Sequence, residues 1–414
     1  MASKPMNVVV VRSLPSASFS PFPRHSYQPH FLLQIGGSLG GLMHGIVLKR
    51  LGHTVRILER NPSPLLHNQG AGVVAGNDTQ DFFQHHDLTH RPLAVTSHLR
   101  HYLDVKGNEI HREEYAQQMT SWDLLYYVLR ANFDRVESGY CSLPPVQDGE
   151  GKATYQYGHT VTALHDLGSD AGVELSFHDR SSTVRKLLQP DVERKYVGYV
   201  AWRGTVPERS LSAAATAALA EKFTFFHALG VQILAYLIPG PDGAVEPGKR
   251  LMNWVWYVNY AAGSAAYREL MTDVDGKTHA VTLPVGKMAP RVWEKQKAVA
   301  AATLPPQFAE IVAKTEQPFI QAITDVLSPS NTYLDGRVLL VGDALAGFRP
   351  HTAASTSQAA YDALMLDAML RGEMSRQEWA ARTMEYARRV QRRGVEMGER
   401  SQFGRHPYAG TYPG

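Results

Sequence analysis

The sequence predicts an α/β fold: a Rossmann-like nucleotide-binding domain, a second domain built on a mixed antiparallel sheet, and a C-terminal helix. Three observations carry this. The apolar run Phe31–Ile35 leads straight into GGSLGG, residues 36–41, and then into a helical pattern. Residues 337–366 (RVLLVGDALAGFRPHTAASTSQAAYDALML) read as a buried strand, an acidic turn and a helix entry made of small residues. Between them, runs such as 173–177 and 254–260 alternate in the manner of antiparallel strands.

The first element is a βαβ unit. Its helical pattern runs to Leu51, Gly52 and His53 close it, and TVRIL at 54–58 makes a second strand ending in Glu59. The glycines have a physical purpose, since one makes the tight turn, one lets backbone approach a pyrophosphate and one lets helix and strand pack closely. Ser38 stands where G-x-G-x-x-G has its middle glycine, so the match is imperfect. Glu59 lies 18 residues past Gly41, near the ~20 expected for a carboxylate that bonds ribose hydroxyls. A surface acid at a strand end is the plain alternative. Arg60 beside it suits a 2′-phosphate or simply solvent.

In the second stretch, 337–341 is a short branched apolar run of the kind covered on both faces, and Asp343 falls at its carboxyl end, where open α/β sheets place ligands. From 352 to 360 the residues are almost all small, so backbone N–H groups at a helix start can approach an anion or a planar ring. An ordinary core strand and helix is the alternative for this segment taken alone.

A length of 414 residues suits two or three packing units, and 44% apolar residues is enough to bury them. The net charge of +3 is small, and no basic cluster interleaves with aromatics, which argues against a nucleic-acid surface; ARRVQRR at 387–393 reads as the solvated face of a C-terminal helix. Cys141 is the only cysteine, which excludes an intrachain disulfide or a cysteine metal cluster and fits a reducing, cytoplasmic setting. His85 and His86, like His98 and His101, lack the carboxylates or thiols that complete a ligand set, so no metal is expected. No apolar run reaches the ~20 residues of a membrane helix. Residues 12–30 superficially resemble a transit peptide, but Pro15, Pro21, Pro23 and Pro29 break any amphipathic helix there.

With GGSLGG, the ILER ending and GDALAGFRPHTAASTSQAAYDAL in this order, the chain resembles the FAD-dependent aromatic hydroxylases, the p-hydroxybenzoate hydroxylase-like flavoprotein monooxygenases. The stretches 199–208 (YVAWRGTVPE), 233–241 (ILAYLIPGP) and 252–257 (MNWVWY) are similar to the dihydroxypyridine hydroxylase branch, which fungi carry in secondary metabolism. The resemblance implies an enzyme in which NADPH or NADH reduces FAD, and oxygen activated on the flavin hydroxylates a small electron-rich aromatic or phenolic ring. It implies that Gly36, Gly37, Ser38 and Gly41 form the pyrophosphate turn, that Glu59 binds the FAD ribose and that Asp343 binds the ribityl chain. Pro350, His351, Thr352 and Ala353 would lie against the isoalloxazine as the catalytic wall. Arg130 would stand near the FAD phosphates, with a surface role equally open, and Gln69, Gly70 and Ala71 where the family's chain crosses the flavin. For the substrate, Arg203, His227, Tyr236, Trp254 and Tyr257 are the candidates, each with a place in the sheet core as its plain alternative.

The implied domain division is 31–85, 112–180 and 330–374 for FAD, 86–111 and 186–329 for substrate, and 375–414 for the C-terminal helix and tail. Partners are the aromatic substrate and O2, with a homodimer as the assembly carried forward. Two departures stand out. NVVVV at 7–11 also looks like a first strand, yet residues 12–35 separate it from the glycine turn; giving the single central slot to Phe31–Ile35 leaves 1–30 as a loose extension or gene-model artefact. After 173–177 the family has a further strand ending in a Gly-Ala-Asp-Gly turn, and here 181–185 reads SSTVR instead. A catalytically impaired flavin-fold binding or scaffold protein, and a flavin dehydrogenase or oxidase, are therefore the other readings.

Overall fold

The computed structural model describes residues 7–11, 31–63, 72–168, 173–177, 184–404 and 406–408. It is built on two sheets. The smaller has six strands in the order Thr332–Tyr333, Val338–Val341, Asn7–Val11, Phe31–Ile35, Thr54–Leu58, Ala153–Gln156. Phe31–Ile35, Thr54–Leu58 and Ala153–Gln156 are mutually parallel. Val338–Val341 runs in the same direction, since it and Phe31–Ile35 are each antiparallel to Asn7–Val11.

Both faces of this sheet are covered at its centre, which is why Val338–Val341 reads as an unbroken apolar run, buried at every position. Leu339 and Val341 point with Val55 and Ile57 toward the helices Leu39–Arg50, Trp122–Asp134 and Ser355–Leu370. Val338 and Leu340 point with Leu58 to the opposite side, against Val161, Val184 and Ala387. The helices end where their sequences dictate. Gly52 takes φ +86 just past the first, Ser121 Oγ accepts the Leu124 N–H at the start of the second, and Ser375 with Glu378 forms a capping box that starts the long helix Arg376–Gln402.

The larger sheet has ten strands and mostly antiparallel neighbours, with Lys195–Pro207, Leu251–Asn259, Val231–Ile238 and Lys222–Ala228 side by side at its centre. Period-two alternation splits these strands between two cores. Trp202, Trp254 and Trp256 face the helices Pro290–Thr303 and Pro306–Ala313. Tyr199, Ala201, Phe225, Tyr236 and Tyr257 face the other way, with Ala353 packed against them.

Three sequence expectations differ here. Asn7–Val11 is not outside the fold: both apolar runs are accommodated, because the valine strand enters antiparallel between Phe31–Ile35 and Val338–Val341 and pairs with both over four positions. The strand Glu109–Ser121 runs continuously through the boundary expected at 111/112, and Gly72–Val74 pairs with it, so both belong to the larger sheet. Among the described residues Val173–Phe177 pairs with Val161–Asp166 in a separate two-stranded ribbon rather than joining the large sheet. Downstream, Val184–Leu188 is helical, so among the described residues no strand follows the ribbon where the resemblance calls for one.

Candidate active site

Because the four parallel strands share a direction, their carboxyl ends lie on one edge of the smaller sheet, and that edge collects the nucleotide-site candidates. Gly36 leaves Phe31–Ile35 with φ +95, a conformation that glycine adopts without strain, and Ser38 is the N-cap of Leu39–Arg50. Ser38 makes no side-chain capping bond and the first turn holds no acid, so the positive end of this helix is open to an anion. Glu59, almost fully buried, sits at the end of the neighbouring strand. Its Oε2 accepts the Gly37 N–H at 2.9 Å and its Oε1 the Asn61 N–H at 2.9 Å, which aims the carboxylate at the glycine turn. At Gly37 a Cβ would run into the Tyr155 side chain, whose hydroxyl donates to the Gly37 carbonyl at 3.0 Å. Gly37 is thus required by close approach.

Arg130 stands at this site in a different role from the one expected. Its Nε and Nη2 donate to Asp134, its Nη1 to the Tyr126 and Tyr157 hydroxyls, and its guanidinium lies 3.9 Å over the Tyr155 ring. It holds Tyr155 against the glycine turn, with four of its N–H groups donating to protein partners. Arg60, beside Glu59, is partly buried, and burial lowers its pKa. Gln69, Gly70 and Ala71 lie outside the described residues.

Asp343 follows Val338–Val341 in a short turn where Gly342 has φ +54. Arg185 and Arg194 act on it electrostatically, and Arg194 and Asp343 line a small cleft with Gln321, Thr324, Phe348 and Pro350. Beneath the turn, fully buried Asp362 accepts the Gly342 N–H at 2.9 Å, and burial lifts its pKa to about 8. The turn Pro350–Thr352 then leads through Ala353, at φ 51, to the start of Ser355–Leu370, which again carries no acid in its first turn. Arg349 anchors the turn, donating to Asp325 at 2.8 Å and to Glu399 at 2.8 Å. The Thr352 hydroxyl is buried with no protein partner.

The larger sheet meets that turn. The Tyr199 hydroxyl and His351 Nε2 share a 2.9 Å hydrogen bond, and the Tyr257 ring lies 4.4 Å from the imidazole. Burial drives the His351 pKa down to about 3, with Arg349 adding to the effect, so the ring is neutral. His227 is buried, its pKa pushed down by burial and by His406 and His351, and its Nδ1 has no partner. Arg203 acts on Tyr236 and Tyr257, and its buried Nε also lacks one. Burial lifts the Tyr257 hydroxyl to about 12 and Tyr236 still further.

The structure thus brings Arg203, His227, Tyr236 and Tyr257 to the face of Pro350–Ala353. Trp254 is not with them: the strand's period of two turns it to the opposite face, where Nε1 donates to Thr315 Oγ1 at 2.9 Å. Tyr199 was missed, although its spacing of four from Arg203 along one strand puts both on one face. Tyr155, Asp362 and His406 had no local signal, because each is placed by contacts with distant segments.

Fold and candidate site together are those of a two-sheet nucleotide-binding protein, and known flavoproteins are similar to it. Residues 196–325 match the family described as FAD binding domain-like. The chain is 28% identical over 380 residues to 2,6-dihydroxypyridine 3-monooxygenase of Paenarthrobacter nicotinovorans, covering 89% of this chain and 91% of the relative. The solved 2,6-dihydroxypyridine-3-hydroxylase of Arthrobacter nicotinovorans superposes with a TM-score of 0.77 at 25% identity, over 93% of this chain and 97% of that one. Klebsiella pneumoniae HpxO, complexed with FAD and uric acid, shares the fold at a TM-score of 0.66 and 18% identity, over 90% and 89%. The chain is a homologue of the FAD-dependent aromatic hydroxylases. The glycine turn, the aimed Glu59 carboxylate, two helix starts free of acids and the buried Thr352 hydroxyl fit FAD. No helix among the described residues is long and apolar enough to cross a membrane.

Proposed function

We propose that this chain is an FAD- and NAD(P)H-dependent monooxygenase that hydroxylates a small, ionisable aromatic ring of the phenol or hydroxypyridine kind, in the cytoplasm. The observation that carries the proposal is the convergence of Arg203, His227, Tyr236, Tyr257 and the Tyr199–His351 pair on one buried face opposite Pro350–Ala353. In this reading Gly36 to Gly41 hold the pyrophosphate at the helix start, Glu59 the ribose and Asp343 the ribityl chain. FAD, when bound and reduced, supplies the activation of oxygen.

The protein residues prepare the ring. Arg203 offers a fixed cation to an aromatic oxyanion, which raises electron density at the carbon to be hydroxylated. Neutral His227 and the Tyr199–His351 pair offer hydrogen bonds that orient the polar groups of the ring. The aromatic walls exclude water.

The test is to purify the protein, record its flavin spectrum, and follow NADPH and NADH oxidation with a panel of phenols and hydroxypyridines under ¹⁸O₂. A yellow protein that oxidises reduced nicotinamide faster with one of these rings and puts one ¹⁸O atom into it supports the proposal. Peroxide equal to the nicotinamide consumed, with no labelled product, supports an oxidase. A protein that takes up no flavin supports the second reading, a catalytically impaired binding protein, which the lack of a Gly-Ala-Asp-Gly motif after Val173–Phe177 in the sequence favours.

A further inference from the structure

The last described residues of the chain return to the substrate face. Helix Arg376–Gln402 ends against the larger sheet, where Asn259 Nδ2 donates to the Gln402 carbonyl at 2.8 Å and Ser401 Oγ to Gln232 Oε1 at 2.8 Å. Phe403 then meets the Tyr199 ring edge-on at 6.0 Å. Beyond it, the His406 ring lies flat on His227, 3.7 Å between centroids and 2° from parallel. Tyr408 stacks on His111 at 4.3 Å, shares a 3.0 Å hydrogen bond with its Nε2, and lies 4.7 Å from Tyr102.

These contacts extend an ordered row. Tyr102 and Phe225 stack at 5.1 Å and 17°, Phe225 and His227 at 6.0 Å and 11°, and His406 lies 20° from the plane of Tyr102. The row reaches the candidate pocket through His227, whose charged form both His406 and His351 disfavour. Two aromatic anchors two positions apart, His406 and Tyr408, thus pack on this one row. The tail covers one ring face of His227 and leaves Nδ1 without a protein partner.

We propose that the tail is part of the substrate site: His406, pinned by Tyr408, completes the pocket wall by fixing the His227 ring, and so sets affinity for the aromatic ring. The proposal rests on the function argued above. In the bound state the tail packs between ring and solvent, so substrate tightens the tail and the tail tightens substrate. His406 is a positioning residue, acting through His227.

The test uses the FAD-loaded full-length protein with 2,6-dihydroxypyridine and phenol as probes. Calorimetry gives the Kd of each probe for the wild type, His406→Ala, His406→Phe and Tyr408→Ala, and hydrogen exchange follows the backbone amides of His406 and Tyr408 with and without probe. Expected are about tenfold weaker binding for His406→Ala and Tyr408→Ala, near-wild-type binding for His406→Phe, which keeps a stacking ring, and slower tail exchange when a probe is bound. Flavin content and Tm should hold across the set. Binding unchanged in both alanine variants, or tail exchange indifferent to a probe that does bind, overturns the proposal. A flavin-loaded wild type that binds neither probe instead contradicts the aromatic-substrate reading on which it stands.

Discussion

Arg203 shows how much a single residue decides. It is a cation on a largely buried face, with tyrosines on two neighbouring strands and no protein partner for Nε. A charged donor held this way is worth ~1.5–3 kcal/mol to an anion that accepts from it. Arg203→Gln should therefore raise KM for an ionisable ring about ten- to hundredfold while flavin content stays constant; steady-state kinetics beside the visible spectrum checks both. Asp362 is the second case. Folded, its carboxyl keeps its proton up to about pH 8 because burial disfavours the anion. Unfolded, it releases the proton near pH 4, so folding takes up a proton between those values and stability falls as pH rises through the window. Asp362→Asn keeps an oxygen to accept the Gly342 N–H but removes the titration. It should flatten the decline of Tm between pH 6.5 and 8, measurable by thermal melts across that range.

Among the elements, the valine strand is the most consequential. Asn7–Val11 carries ladder bonds to strands on both sides, and without it Phe31–Ile35 and Val338–Val341 each keep an open edge. Its direction also has a functional cost. Being antiparallel, it presents its amino end, with Asn7 opposite Val341, to the edge where the parallel strands present their carboxyl-end turns. It completes the sheet without supplying the aspartate turn that the resemblance calls for. Val9→Pro removes a ladder donor from this central position, and a loss of about 3 kcal/mol or more is expected, seen as a Tm lower by about 3 °C or more. An unchanged Tm would mean that the strand contributes nothing. The element boundaries were partly legible: the βαβ unit and Val338–Val341 appear where apolar runs and glycines put them, whereas Glu109–Ser121 carries too many charged residues for its alternation to announce a 13-residue strand.

Across the whole molecule, buried histidines and Asp362 set opposing slopes. His44 and His351 are neutral in the fold, held to about pH 4 and about pH 3 by burial, whereas unfolded histidine protonates near 6.5. Their contribution is present above pH 6.5 and is lost as the pH falls through that value toward the folded ones, ~2 kcal/mol each by pH 5. Together with the decline that Asp362 imposes on the alkaline side, this predicts a stability maximum near pH 6.5. A Tm profile from pH 4.5 to 8.5 checks it, and Asp362→Asn should move the maximum upward. The two sheets also meet through Arg349, which ties the Pro350–Thr352 turn to Asp325 of the large sheet and Glu399 of the long helix.

By itself the sequence determined the α/β class and marked the glycine turn, Glu59, Asp343 and the RPHTA segment as candidates, because each rests on local chemistry: glycine conformations, strand-end acids and runs of small residues. It also announced the resemblance that makes FAD the cofactor. Only the tertiary structure decided which face of each large-sheet strand meets the site, and so kept Tyr257 and excluded Trp254. It likewise placed Arg130 over Tyr155, carried His406 onto His227, and wedged Asn7–Val11 into the middle of the sheet. These outcomes depend on contacts between segments far apart in the chain, where packing and strand pairing choose among arrangements that local sequence leaves equal.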